Sequence, residues 1–457
     1  MESDVFSKTN GYCIFFGRKI LASFIRPIIN LMEYRKKEKI VFYDGLSFKE
    51  ALEDLRPNGV ISCFFPSNES NLSSALIHGR IFDQERNQRR IREMHHLITK
   101  NGIKNCAEQS FSLDIDGDFS IAIVDGGQLL ALRSPISSKP LYFFKGDELF
   151  VLTSDPYSLH LLGLQCDCLP SGSILHARFG ERIDIHTIRY YHMETSNKKD
   201  EGLEDSARTL KSSLEYSVHE NLRGIKRVGV AFSGGLDSTV LAKLIESFGV
   251  TPILFTVCAK DSHDSVRAKK VADLLSLDNN ILYVNSESVE KRIMAISRTF
   301  GKMSAMDFSI SLVLNLVAEE AARVGLEQVV IGQGADELLG GYQKYTNILR
   351  TCGATSLEDT LKTDFEELHC HKISRDEASV SMFAEPIMPF INKKVAETAF
   401  SLPVDFKINS LSGERKVVLR SVAKELGLSE EIYLYPKKAM QYSSGIQKLV
   451  SKTMEKD

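Results

Sequence analysis

The sequence predicts an α/β chain in two parts. The first is an antiparallel β-sandwich of α+β type ending near residue 192. The second, from residue 205, is a doubly wound parallel sheet with extra helices at its C-terminal end. Three observations predict this. Up to residue 190 the apolar runs are short, and Gly, Asp and Ser turns separate them. Beyond residue 205 helical periodicity dominates, broken by short, continuously apolar runs of the kind that lie inside a parallel sheet. Between the halves, "METSNKKDEGLED" (193–205) is polar and lacks aromatics, as a linker does.

In the first half the candidate strands are "GYCIFFG", "GVISCFF", "FSIAIVD", "QLLALRS", "PLYFF" and "LFVLTS". Between them "DQERNQRRIREMHHLITKNG" reads as a charged amphipathic helix ending at Gly102, with His95 and His96 facing solvent. In the second half the buried strands are "RVGVAF", "PILFTV", "NILYV" and "EQVVIGQ". Strands that alternate with helices imply a parallel sheet covered by those helices.

Composition narrows the function classes. Of 457 residues 43% are hydrophobic and 26% charged, and the formal net charge is -3, so nothing draws the chain to nucleic acid or an anionic membrane. The apolar stretch "FFGRKILASFIRPIINLM" is interrupted by Arg18, Lys19 and Arg26, which spoil a membrane span and a secretory segment alike. The eight cysteines are scattered without disulfide-like spacing, so a reducing, cytoplasmic setting is expected. Cys166 and Cys168 lack the further ligands zinc needs, and "HCHK" (369–372) reads as a solvated helical face.

The chemistry concentrates in "VAFSGGLDSTVLA". An apolar strand runs into Ser233, Gly234, Gly235, Leu236, Asp237 and Ser238, and a helix follows. Free backbone N–H groups and the helix dipole make such a turn a phosphate site, and the two glycines let the backbone approach an anion. No lysine follows the glycines, so this is not a Walker loop. A bare carboxylate at Asp237 would repel phosphate. One that shares Mg²⁺ with a polyphosphate would not, and this points to ATP with Mg²⁺.

"FSGGLDS" resembles the pyrophosphatase loop of the N-type ATP pyrophosphatases, a superfamily that includes asparagine, GMP, NAD and argininosuccinate synthetases. The resemblance implies cleavage of ATP between its α- and β-phosphates and activation of a carboxylate as an adenylate. "VVIGQGADELLGGY" (329–342) is similar to the asparagine synthetase segment with a Gly-x-Gly turn, Asp-Glu and Gly-Gly-Tyr. By that resemblance Asp336 joins Asp237 on the metal, and Gly332 lies beside the nucleotide. A carboxylate after a second parallel strand can also reach the switch-point crevice on general grounds. "SRDEASVSMFAEPIMPF" resembles a later family segment and makes Glu385 a candidate for positioning or deprotonating the amine. "YPKKAMQYSSGI" resembles the family's catalytic-lysine loop, which assigns charge neutralisation to Lys438, or to Lys437 one residue earlier. "DSHD" (261–264) follows its strand as a family Ser-x-Asp does, and Val257 would lie near adenine.

The pattern also departs from the family. Gln333 stands where asparagine synthetases usually carry Glu, and Gln cannot accept a proton at neutral pH. Ile387 replaces a family Arg. The N-terminal half, residues 1–192, resembles a class II glutamine amidotransferase domain through "DIDGDFSIAIVDGGQLLALRSPISSKPLYFF". That class uses an N-terminal Cys nucleophile. Here the chain begins Met1-Glu2-Ser3, no Asn-Gly or Ser-Asp-Thr-Glu motif is present, and Cys13 reads as a buried strand cysteine, so the domain is expected to be degenerate. The expected partners are small molecules: ATP, an amino acid, most simply aspartate, and ammonia or glutamine. A homodimer remains one option. The alternatives are a synthetase of another amide or lactam, and a nucleotide-binding pseudoenzyme.

Overall fold

The computed structural model describes residues 6–9, 12–17, 39–43, 74–83, 86, 89–91, 93, 115–125, 128–147, 149–160, 163–180, 182–193, 201–260, 262–301, 303–435 and 445–454. "GVISCFF", His95 and His96 lie outside the described residues. The chain divides into two compact units, Met1–His192 and Met193–Asp457.

The first unit holds two sheets. Its strands are β1 (Phe6–Thr9), β2 (Tyr12–Gly17), β3 (Lys39–Tyr43), β4 (Ser74–Ile81), β5 (Gly117–Asp125), β6 (Gln128–Arg133), β7 (Tyr142–Lys145), β8 (Leu149–Thr153), β9 (Asp167–Cys168), β10 (Ser173–Phe179) and β11 (Ile183–Arg189). One sheet has the order β1-β4-β5-β6-β10-β11, the other β3-β2-β8-β7-β9. Alternation along the strands builds two cores. Ile121, Ile123, Leu130 and Leu132 point to one face of the larger sheet. Ala122, Leu129 and Ala131 point to the other, where Phe150 and Leu152 of β8 meet them. The antiparallel expectation holds for most pairs, but β1 with β4 and β2 with β3 are parallel. Alternation sets which face a side chain takes and is silent on strand direction.

The second unit opens with the helix Leu203–Asn221, so the linker ends two residues before the expected boundary. Its sheet has the order β14-β13-β12-β15-β16, and every pair is parallel. The strands are β12 (Arg227–Ala231), β13 (Thr251–Ala259), β14 (Asn279–Val284), β15 (Gln328–Val330) and β16 (Glu385–Ile387). The chain builds outward from β12 to β14, then returns to the other side of β12 to lay down β15. Such a reversal opens a crevice at the carboxyl ends of the two central strands. Helices Leu236–Ser247, His263–Leu275 and Ala305–Arg323 pack against the sheet, and Ile446–Met454 packs on Ala305–Arg323.

Two expectations need correction. His369 is buried at the end of the helix Gln343–Leu368, its ring edge-on to Phe365, so "HCHK" is not one solvated face. A new helix starts at Lys372, and the turn between the two helices carries His369 inward. Among the described cysteines Cys166, Cys258 and Cys352 are free, while Cys168 and Cys370 are disulfide-bonded, contrary to the reading of their spacing.

Candidate active site

Both predicted motifs end on the crevice. After β12 the chain turns through Ser233, Gly234 and Gly235 into the helix Leu236–Ser247. Gly234 has φ +67°, and a Cβ there would stand 2.9 Å from the Cα of Ala268, so the turn is pressed on the helix His263–Leu275. The loop is braced from within. Gly235 N–H donates to Ser233 Oγ at 3.2 Å, and the Ser238 and Thr239 hydroxyls donate to the Gly235 carbonyl at 3.3 and 2.7 Å. No side chain caps the helix, so its first N–H groups face the crevice without an intrahelical partner. After β15 the chain turns through Gly332, Gln333 and Gly334, the last at φ +92°, into the short helix Ala335–Leu339. A Cβ at Gly332 would lie 3.4 Å from that of Asp237, so the two turns touch.

The two predicted metal ligands face one lysine that sequence reasoning missed. Lys416 Nζ lies 2.5 Å from Asp237 Oδ1 and 2.5 Å from Asp336 Oδ1. Both carboxylates therefore share one crevice. Lys416 is 2% exposed, and its backbone is left-handed at φ +58°, ψ +39°, a costly conformation for a residue with a Cβ. Burial pulls the ammonium below the ordinary lysine range, and the Asp237 carboxylate opposes that pull. Gly341 is required beside it, because a Cβ there would overlap Asp336 Oδ1 and Lys416 Cε.

A cavity of about 760 Å³ opens over these groups. Every residue of Ser233–Ser238 lines it, and so do Val257, Gly332, Gln333 and Asp336. Val257 is buried near the end of β13, with Phe255 and Thr256 beside it on the cavity wall. Asp264 of "DSHD" also lines the cavity, and Ser262 caps its helix by accepting from Ser265 N–H at 3.3 Å. Gln333 is half-buried on the wall.

One predicted catalytic group stands elsewhere. Glu385 is the first residue of β16 and pairs with Gln328, the first of β15. In a parallel sheet that is the end away from the crevice, and Glu385 is not among the residues lining the cavity. A direct role on the amine is thereby corrected. Lys437 and Lys438 lie outside the described residues, as does any statement of their geometry. Cys13 lies in β2, paired with Ile40 and Thr153, and its side chain is outside the description.

A second charged group lines the far wall. Arg375 bonds Asp307 at 2.6 Å and Asp376 at 2.7 Å. Glu337, 1% exposed, accepts from the Tyr342 hydroxyl and from Lys372, each at 2.8 Å. Burial, reinforced by Glu337, drives the Tyr342 phenol far above its ordinary range, so it remains a donor. Among the described residues no three His, Cys, Asp or Glu side chains are arranged to hold a metal by themselves. Two carboxylates do suit an ion such as Mg²⁺ that takes its remaining ligands from phosphates and water.

Comparison with known proteins bears on the same segment. The family model described as Asparagine synthase matches residues 209–362 and 350–456. A putative glutamine-hydrolyzing asparagine synthetase 1 of Methanocaldococcus jannaschii is 26% identical over 440 residues, 85% of this chain and 81% of that one. A glutamine-hydrolyzing asparagine synthetase of Asparagus officinalis is 24% identical over 381 residues, 75% of this chain. The chain spans only 60% of that plant relative. Among solved structures, NMN synthetase from Francisella tularensis aligns over 56% of this chain and 88% of its own, at 12% identity and a TM-score of 0.31. The B. subtilis glutamine phosphoribosylpyrophosphate amidotransferase aligns over 79% and 94%, at 12% identity and a TM-score of 0.29. The family match runs from residue 209 to residue 456, more than half of the chain and all of the segment that builds the crevice, so this protein belongs to the asparagine synthase family.

Proposed function

We propose that the protein is an ATP-dependent carbon–nitrogen ligase that activates a carboxylate, most simply aspartate, as an adenylate and converts it to an amide with ammonia. The observation that carries this reading is the meeting of Asp237 and Asp336 at Lys416 Nζ, beside the phosphate-type turn and inside one cavity.

The loop Ser233–Ser238 would receive the triphosphate on its free N–H groups. Lys416 offsets charge where pyrophosphate separates. Asp237 and Asp336 are the residues that would hold Mg²⁺, which when bound supplies Lewis-acid neutralisation of the phosphate oxygens. Val257 and its neighbours offer an apolar wall for the base. An oxygen of the substrate carboxylate attacks the α-phosphorus, the bond to the bridging oxygen breaks, and pyrophosphate leaves with the electron pair. Ammonia then attacks the acyl carbon, the acyl–oxygen bond breaks and AMP leaves. The amine's surplus proton passes to solvent, because Gln333 can donate or accept a hydrogen bond but cannot take a proton at neutral pH. Lys438 is the group proposed to neutralise the tetrahedral intermediate. The N-terminal unit is proposed to be an amidotransferase-like domain without glutaminase chemistry.

Gln333 also favours a second reading, in which the same adenylation serves a different acid. AMP release with aspartate and other amino acids, each with ammonium or glutamine, separates these. AMP that depends on aspartate and ammonium supports the first reading. AMP with another acid alone supports the second, and ATP binding without AMP from any acid selects a pseudoenzyme.

A further inference from the structure

Arg267 is a buried charge at the cavity that the proposed chemistry does not use. It is 9% exposed, lies on the helix His263–Leu275 and lines the same wall as the phosphate-type turn. Its carbonyl carbon and the backbone of Ala268 are the atoms that Gly234 presses against. The guanidinium lies over the Tyr435 ring, 3.9 Å from its centroid. Nη2 donates to the Glu431 carbonyl at 2.9 Å, while Nε is buried without a partner.

A buried guanidinium is ordinarily matched by a carboxylate, because desolvating an unmatched charge costs several kcal/mol. Among the described residues no carboxylate stands within ion-pair distance of this one, and the Glu431 carboxylate attracts it only from further away. The Glu431 carboxylate is engaged by Lys270 at 2.5 Å, and Asp264, one turn earlier on the same helix, makes no hydrogen bond to Arg267. Three other cations of the wall differ: Lys416 has Asp237 and Asp336, Arg375 has Asp307 and Asp376, and Lys372 has Glu337. Tyr435 supplies a π face, which steadies a cation without cancelling its charge. An anion that enters the cavity would supply the close counter-charge that these groups do not.

We propose that Arg267 is an anion-binding residue of this site, and that its guanidinium receives a phosphate group of the bound nucleotide. The inference rests on the nucleotide reading of the cavity and goes beyond it, because it adds a cation from the second strand–helix turn to the amides of the first. Tyr435 is the positioning residue: stacked on the guanidinium, it holds the planar fork toward the phosphates.

The test is calorimetric titration of the full chain with ATP and, separately, adenosine, in wild type, Arg267→Gln and Arg267→Lys. The expected result is a loss of ATP affinity on the order of tenfold or more in Arg267→Gln, with adenosine affinity unchanged. Arg267→Lys keeps the charge but not the fork, so its ATP-to-adenosine ratio falls by several-fold. Should the glutamine variant fail to fold, the lysine variant carries the test alone. A ratio equal to wild type in the folded variants overturns the proposal, and so does an equal fall for both ligands, which marks a structural strut. If wild type binds neither ligand, the nucleotide reading itself fails and takes this proposal with it.

Discussion

Replacing Lys416 by Met removes a cation that the two crevice carboxylates share. Lys416 is 2% exposed, and the side chains of Asp237 and Asp336 are 23% and 20% exposed. Both oxygens stand 2.5 Å from the same nitrogen, so they are no further apart than twice that distance. Like charges at such a separation repel by roughly 3 kcal/mol at an effective dielectric constant near 20. Removing one partner of a buried ion pair elsewhere costs about 3–5 kcal/mol. Lys416→Met is therefore expected to lower unfolding free energy by about 3 kcal/mol in urea denaturation at neutral pH. Adding Asp237→Asn should recover part of that loss, because the repulsion goes with the charge. Mn²⁺ without nucleotide should stabilise Lys416→Met more than wild type, since the ammonium no longer competes with an ion for these carboxylates. Lys416→Gly should be about 1 kcal/mol less damaging than Met, because glycine adopts the left-handed backbone freely. A Lys416→Met protein within about 0.5 kcal/mol of wild type, with strictly additive double-mutant behaviour, would refute the charge argument.

Three further outcomes follow from the same geometry. Gly234→Ala combines a positive φ with a Cβ 2.9 Å from backbone, so ATP affinity in calorimetry should drop and stability should fall by about 1 kcal/mol or more. Gln333→Glu places an ionisable group on the cavity wall, and the pH–rate profile of AMP formation should gain an acid limb that Gln333→Ala lacks. Burial raises Asp307, but hydrogen bonds from Ser304 and Arg375 outweigh it and hold the carboxyl below the ordinary range. Its stability contribution is therefore complete above the unfolded carboxylate range near pH 4 and lost as pH falls through the lower folded value. Asp307→Asn should accordingly flatten the stability–pH curve below about pH 4, measured by urea midpoints.

What could be read from the sequence was local. The turn after β12 and the turn after β15 each carry their chemistry in a few consecutive residues, and a strand before a glycine turn is visible in apolar patterning. The strand order then places both turns at one switch point. Lys416 was not legible. It reaches Asp237 from 179 positions away, follows no signature spacing, and its left-handed backbone leaves no mark in composition. Arg267 was hidden for a related reason, because a lysine- and arginine-rich helix reads as solvated until its burial is known. Glu385 failed differently. Its motif gave the residue a role but no place in the sheet, and Glu385 begins β16 at the end away from the crevice. The same gap separates the expected antiparallel sandwich from the two parallel pairs observed in it.

Carboxylate-dependent exchange of labelled pyrophosphate into ATP tests the central claim most directly, because it reports adenylation at the crevice whatever the nitrogen donor. The account predicts exchange with at least one amino acid, and loss of that exchange in Asp237→Asn and Asp336→Asn. Exchange that survives both substitutions, or its absence with every acid offered, would contradict it.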